Sequence, residues 1–220
     1  MTSNLTQHLK IVVIDDHALI LRGVVSAIKG YFPRVDVHCA TDATTGFALV
    51  QQKQPDLVLL DLSLPESLGT TVLPRHGLQL LKDLMKEYPE LNITVQSSNI
   101  KALMRLIPEI DNHQGGFTIA DKLLPVETLL KRMEWAVQGI NYTQDLQRDL
   151  EIKPEWLEVL ELAFEAGLQD KAIAEKMHKS ERMIRHYWSK IRDVLGVYPE
   201  AKDNVRSLTY IQAKKVGLVD

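Results

Sequence analysis

One cysteine, Cys39, occurs in 220 residues. A single thiol can neither close an internal disulfide nor build a zinc site, so a disulfide scaffold is excluded and a reducing cytoplasm is the expected setting. Cys39 lies in the apparent strand Val35–Ala40 and reads as a small buried hydrophobe. No apolar stretch approaches the roughly 18 residues that span a bilayer, so no membrane partner is expected. Met1–Lys10 lacks the charged and apolar regions of an export signal. A large excess of one charge is missing too: 26 basic residues stand against 29 acidic ones, a net charge of −3. Any contact with a polyanion must therefore come from a local patch. The seven histidines are scattered without a metal-ligand spacing such as His-Glu-x-x-His, and there is no glycine-rich Walker loop. The three tryptophans, Trp135, Trp156 and Trp188, read as core or interface anchors rather than stacking platforms.

Four short apolar runs are present, and each ends on a polar residue. Ile11–Ile14 precedes Asp15-Asp16, Leu57–Leu60 precedes Asp61, Ile93–Val95 precedes Ser97, and Phe117–Ala120 precedes Lys122. Helical patterns separate the runs, so the strands should be parallel with their C-terminal ends on one edge. In an open α/β sheet that edge holds the ligand crevice. Carboxylates, a hydroxyl and an ammonium there suit a divalent cation and a phosphoryl group. Magnesium takes oxygen ligands and is usually held by one or two carboxylates plus waters. Asp16 and Asp61 are the candidate direct ligands, with Asp15 reached through water. The ion would offset repulsion among the acids as Asp61 attacks phosphorus. Ser97 and Lys122 would each hold a phosphoryl oxygen. Taken singly, each residue has a bland reading, since strand-end acids are common; the four in this order do not.

Helix signals fill the gaps. Ala18, Leu19, Leu21, Val24, Val25 and Ile28 form a stripe ending near Gly30; Asp42 caps Ala43–Gln52; Gly77–Tyr88 ends before Pro89; and Pro125 opens the last helix. Five strands and five helices suggest a flavodoxin-like, doubly wound α/β fold with strand order 2-1-3-4-5.

In these residues the chain resembles the receiver domain of two-component response regulators. That pattern has an acid pair after strand one, a phospho-accepting Asp after strand three, Ser or Thr after strand four and Lys after strand five. The resemblance covers residues 10–140 and implies phosphorylation of Asp61 by a sensor histidine kinase with magnesium. Asp61-Leu62-Ser63-Leu64-Pro65 also matches, which implies that the Ser63 backbone carbonyl is a further metal ligand. His17, directly after the acid pair, reads as a wall residue.

Beyond residue 140, Asn141–Leu150 is polar and reads as a linker; the organisation expected is 1–140, linker 141–151, and a second domain 152–220. Charge is partitioned there. Eight acids lie between Asp145 and Asp170 against Arg148 and Lys153, and seven Lys or Arg lie between Lys171 and Arg192 against Glu175 and Glu181. On charge alone a solvated face and a DNA contact are equal alternatives. Helix grammar separates them. Asp170 can cap a short helix through Met177, and Ser180 a second running towards Gly196, which together make a helix-turn-helix. In the second helix Ile184, Trp188, Ile191 and Leu195 share one face, while Arg182, Arg185, His186, Ser189 and Arg192 share the other.

Residues 152–218 resemble the LuxR-type DNA-binding domain of the NarL/FixJ regulators, a four-helix all-α module. The matching residues are Pro154, Glu158-Val159-Leu160, Gly167, Lys171-Ala172-Ile173-Ala174, Ser180, Ile184-Arg185 and Leu195-Gly196-Val197. By position the resemblance implies base contacts from Arg182, Arg185 and His186, and phosphate contacts from Lys171, Ser189 and Lys190. Gln96–Lys122 further resembles a divergent cyanobacterial branch of the family. Several departures stand out. Glu66–His76 inserts a segment between Pro65 and Gly77, Ile119 replaces the usual switch aromatic, Met183 stands where Thr is usual, and Tyr198–Asp203 lengthens the link to a last helix, Asn204–Val216.

The expected function is a DNA-binding transcription factor controlled through Asp61, acting as a homodimer with RNA polymerase as a further partner. The alternative is a phosphorylation-independent DNA-binding regulator whose receiver serves for oligomerisation. An enzyme, such as an aspartate-based phosphatase, is disfavoured, because Ser63 occupies the place of the second Asp such enzymes use as acid.

Overall fold

Strands that run apolar for four to six residues need cover on both faces, and the first half of the chain supplies it with helices. The computed structural model describes residues 8–98, 100–143, 152–198 and 203–219, and divides the chain into two units, Met1–Asp145 and Leu146–Asp220. In the first unit β1 (Leu9–Ile14), β2 (Val35–Ala40), β3 (Leu57–Leu60), β6 (Asn92–Ser97) and β7 (Phe117–Asp121) form one parallel sheet in the order β2-β1-β3-β6-β7. This is the doubly wound order expected from the sequence. Among its helices are α1 (Ala18–Tyr31), α2 (Ala43–Lys53), α3 (Pro74–Glu87) and α5 (Val126–Val137). Ile11, Val13, Leu57 and Leu59 pack with Leu21 and Ile28 of α1 and Leu129 and Met133 of α5 in one buried cluster. Asp42 caps α2 as expected, its carboxylate accepting from the Thr45 N–H at 2.8 Å.

The register sets the site. Ile14 pairs with Leu60, Leu60 with Val95 and Val95 with Ile119, so the next row along the sheet's C-terminal edge is Asp15, Asp61, Gln96 and Ala120. Ser97 and Asp121 pair one step beyond. Lys122 follows, its N–H donating to the Ser97 carbonyl at 3.3 Å.

Several expectations are corrected. The inserted segment, for which the sequence suggests no element, closes a small hairpin: β4 (Leu64–Pro65) pairs antiparallel with β5 (Val72–Leu73). Its tip is a turn in which Thr70 N–H donates to the Ser67 carbonyl and Gly69 takes φ +86°, a conformation glycine adopts without strain. Two-residue strands are too short to show alternation. Helix α3 begins at Pro74, not Gly77, since proline at the first helical position already has helical φ. Between β6 and β7 a 3₁₀ helix, Ile100–Leu106, runs into the short α4 (Ile107–Asn112). Pro108 explains the break, because its ring would clash with the carbonyl four residues back in a continuous α-helix. Cys39 is exposed rather than buried, because β2 is an edge strand. The start of the expected linker is tied to the sheet: Tyr142 N–H donates to the Phe117 carbonyl and Asn141 Oδ1 accepts from Phe117 N–H. The rest of that linker, from 144 on, lies outside the described residues.

The described part of the second unit holds four helices, α6 (Pro154–Phe164), α7 (Asp170–Lys176), α8 (Glu181–Leu195) and α9 (Val205–Lys215). Ser180 caps α8, accepting from Met183 N–H at 3.2 Å, and Gly196 ends it in the left-handed conformation, φ +65°. Asp170 does not cap α7. Gln169 holds that position and Asp170 lies in the first turn, its carboxylate accepting from Trp188 Nε1 at 3.0 Å and from Arg206. The Arg206 guanidinium lies 3.8 Å over the Trp188 ring, and Phe164 meets that ring edge-on. Trp156 and Trp188 are buried anchors, as read from the sequence.

Candidate functional site

Asp15 directly follows β1 and Asp61 directly follows β3, on neighbouring strands of one sheet, and both are buried. Lys122 Nζ bridges them, 2.7 Å from Asp61 Oδ2 and 2.9 Å from Asp15 Oδ2. The Ser63 N–H donates to Asp61 Oδ1 at 3.1 Å, so the loop after β3 folds back onto its own acid. Burial, the largest influence, pushes the Asp61 carboxyl above the usual carboxylate range, Lys122 and Ser63 draw it down, and Asp15 adds to the rise. For Lys122, burial works against the charge, but the hydrogen bonds and attraction of Asp61 and Asp15 outweigh it and hold the ammonium above the usual lysine value. Both values rise, which disfavours the charge on Asp61 and favours the charge on Lys122. The geometry accounts for this, since Lys122 has two carboxylates whereas Asp61 shares one ammonium.

Close packing fixes the loop that carries Ser63. A methyl group added at Gly77 on α3 would come within 2.2 Å of the Leu62 carbonyl. His76 Nδ1 lies 3.2 Å from the Leu64 carbonyl, and the Glu66 carbonyl accepts from both the N–H and the hydroxyl of Thr44. The hairpin is therefore fastened to α2 beside the pocket. Ser97 is wholly buried at the end of β6.

Asp16 is partly buried, and its Oδ1 has no hydrogen-bond partner although it is shielded from solvent. His17 Nδ1 lies 2.6 Å from that oxygen, but not in a hydrogen-bonding direction, and 3.1 Å from Asp15 Oδ1. One ligand-capable atom from each of Asp15, Asp16, His17 and Asp61 falls within 4.8 Å of the others. An orphaned carboxylate oxygen among three acids fits a hard divalent cation, which Asp15, Asp16 and Asp61 would hold, with the Ser63 carbonyl as the further ligand implied by the resemblance. His17, read from the sequence as a wall residue, stands against the acid pair. Its signal was its place immediately after the acid pair, ahead of a helix whose first turn it does not cap.

In the second unit Ile184, Trp188, Ile191 and Leu195 form the buried face of α8. Arg182, Arg185, His186 and Lys190 are exposed on the same helix, and Lys171 is exposed on α7. Ser189 and Arg192 are half-buried, and Arg192 Nε donates back to the Trp188 carbonyl at 3.2 Å. Lys190 Nζ stands 3.8 Å from Asp193. Arg206, which grips Trp188 and Asp170, carried no sequence signal, because its partners lie 18 and 36 residues away.

Residues 11–107 match the family model for the response regulator receiver domain. The transcriptional regulatory protein LnrK of Bacillus subtilis is 26% identical over 92% of this chain and 97% of its own length. The DNA-binding transcriptional activator DevR/DosR of Mycobacterium tuberculosis is 25% identical over 86% and 88%. Among solved structures, the response regulator RcsB in complex with DNA superposes with a TM-score of 0.60 at 22% identity, covering 94% of this chain and 99% of that one. The register that lines up Asp15 with Asp61, the ammonium of Lys122 between them and these likenesses agree: the first unit carries a response regulator receiver domain over residues 11–107, and the chain along its length is similar to transcriptional regulatory proteins.

Proposed function

We propose that this chain is a response regulator, a cytoplasmic transcription factor that takes a phosphoryl group on Asp61 from a sensor histidine kinase and binds DNA through α8. The observation that carries the reading is Lys122 Nζ held between the Asp61 and Asp15 carboxylates, at the edge where the acids converge. An Asp61 oxygen forms the new O–P bond as the P–N bond to the kinase histidine breaks, and the imidazole leaves. Magnesium, when bound, supplies charge neutralisation between the acids and the incoming phosphoryl oxygens. Lys122 is placed to pair with one of those oxygens, and Ser97, at the end of β6, to donate to another. Ser63 steadies the Asp61 carboxylate through its backbone N–H. The phosphorylated pocket then favours one state of the surrounding loops over another. In the second unit Arg182, Arg185 and His186 read bases, while Lys171, Ser189 and Lys190 meet phosphates, with Arg192 at the edge of the same face. A homodimer on paired half-sites, working with RNA polymerase, completes the reading. The protein accepts a phosphoryl group and does not turn over a substrate.

A second reading, DNA binding without phosphorylation, draws on two observations. Ile119 is wholly buried where the resemblance expects a switch aromatic, and the hairpin is fastened to α2 beside the pocket. One experiment separates the two. The purified chain is incubated with a labelled small phosphodonor with and without magnesium, and then allowed to retain genomic DNA fragments. Magnesium-dependent labelling, lost in Asp61→Asn, with DNA retention that rises on labelling, is the expected result. Unlabelled protein that retains the same fragments equally well favours the second reading, and undiminished labelling of Asp61→Asn overturns the assignment of the phosphoacceptor.

A further inference from the structure

We propose that His17 is a nitrogen ligand of the ion in the acid pocket, so that this site takes late first-row ions such as Ni²⁺ in preference to magnesium by more than its carboxylates alone would dictate. The inference rests on the reading of the pocket as a metal site and adds a donor to it.

The local chain brings the imidazole there. The His17 N–H donates to Asp15 Oδ1 at 2.8 Å, a tight turn that folds residue 17 back over the acid pair. His17 then occupies the position before α1 with extended backbone (φ −90°, ψ 96°), and its side chain makes no capping hydrogen bond to that helix. The ring is therefore not engaged by the helix; it is 54% exposed, with Nδ1 turned towards Asp15 Oδ1 at 3.1 Å.

The spacing fits common coordination. With bonds of about 2.1 Å, neighbouring donors of an octahedral ion lie roughly 3.0 Å apart and opposed donors roughly 4.2 Å. His17 Nδ1 stands 3.1 Å from Asp15 Oδ1 and 2.6 Å from Asp16 Oδ1, and the whole donor set spans no more than 4.8 Å. The shorter approach is not a hydrogen bond, and the Asp16 oxygen has no other partner. Nitrogen and oxygens here stand close enough together to share one ion. Carboxylates suit magnesium and manganese, whereas imidazole favours nickel, copper and zinc. One imidazole among three carboxylates therefore shifts selectivity while leaving the oxygen set intact.

The test compares the full chain with His17→Ala by titration calorimetry against Mg²⁺, Mn²⁺ and Ni²⁺, each alone. Ala at position 17 is expected to weaken Ni²⁺ binding by about tenfold or more and Mn²⁺ by less, leaving Mg²⁺ within about twofold. Electron spin-echo spectra of the Mn²⁺-loaded wild type should show coupling to a directly bound ¹⁴N that is absent from His17→Ala. Equal loss for all three ions, tighter binding of all three to His17→Ala, or no nitrogen coupling would overturn the role of His17 while leaving the carboxylate site standing. Failure of the wild type to bind any of the ions would overturn the metal reading itself.

Discussion

Asp61 shows how a reacting residue is held at a cost to the fold. Its side chain is 1% exposed and has one ammonium for a partner, which is itself shared with Asp15. Burial raises its pKa in the folded state above the usual value near 3.9, so the folded protein binds that proton more tightly than the unfolded chain. The sign follows by linkage. Asp61 supports the fold fully below the unfolded pKa, and this support is lost as the pH rises through the folded pKa. At neutral pH the buried carboxylate opposes folding, as reactive groups often do. Asp61→Asn is therefore expected to be more stable than the wild type at pH 7 without added metal. The advantage should shrink to nothing near pH 4, and urea denaturation at a series of pH values checks it. A variant equally stable or weaker at pH 7 would mean that Lys122 compensates Asp61 in full.

At the scale of elements, α8 was legible and the hairpin was not. Four apolar residues at helical spacing, a serine cap and a glycine stop define α8 in sequence, and all three features hold in the structure. The strands β4 and β5 each contribute two residues, and their pairing depends on a turn and on the fastening of Glu66 to Thr44, which no periodicity announces. Capping was also only partly legible. Asp42 and Ser180 accept hydrogen bonds as their residue types suggest, whereas Asp170 is claimed by Trp188 and Arg206. The exposed face of α8 carries its own prediction. Arg185→Ala is expected to cost roughly 1–3 kcal/mol on the preferred DNA sequence and to relax that preference. Lys190→Ala should weaken all sequences alike and flatten the salt slope by about one. Fluorescence anisotropy on matched and mismatched duplexes over a salt series distinguishes them. Equal, sequence-blind losses would make Arg185 a phosphate contact.

The whole molecule has two units with separate cores, one built on β1 and β3 and one on Trp156, Ile173, Ile184 and Trp188. A chain so divided need not unfold in one step. Calorimetry is expected to show two transitions, with magnesium raising the first unit's alone, because an ion that binds only the folded pocket stabilises the unit containing it. The Asp61→Asn variant should lose most of that shift. A single transition moved as a whole by magnesium would show that the two units unfold as one.

The sequence by itself determined the strand order, the row of acids and the buried and exposed faces of α8. Each of these follows from local periodicity, from capping chemistry or from the rule that parallel strands end on one edge. It placed Asp15, Asp61, Ser97 and Lys122 at that edge before any distance was known. Only the tertiary structure decided the rest. Lys122 reaches back 107 residues to Asp15, Arg206 reaches 36 residues to Asp170, and Gly77 admits the Leu62 carbonyl where a side chain could not fit. Cys39 faces solvent because β2 is the last strand of its sheet, and His17 leans over the acid pair because a turn of two residues folds it back. Such contacts depend on which distant groups arrive at one point in space, and the pattern along a chain records the period of its own elements but not the neighbours they meet.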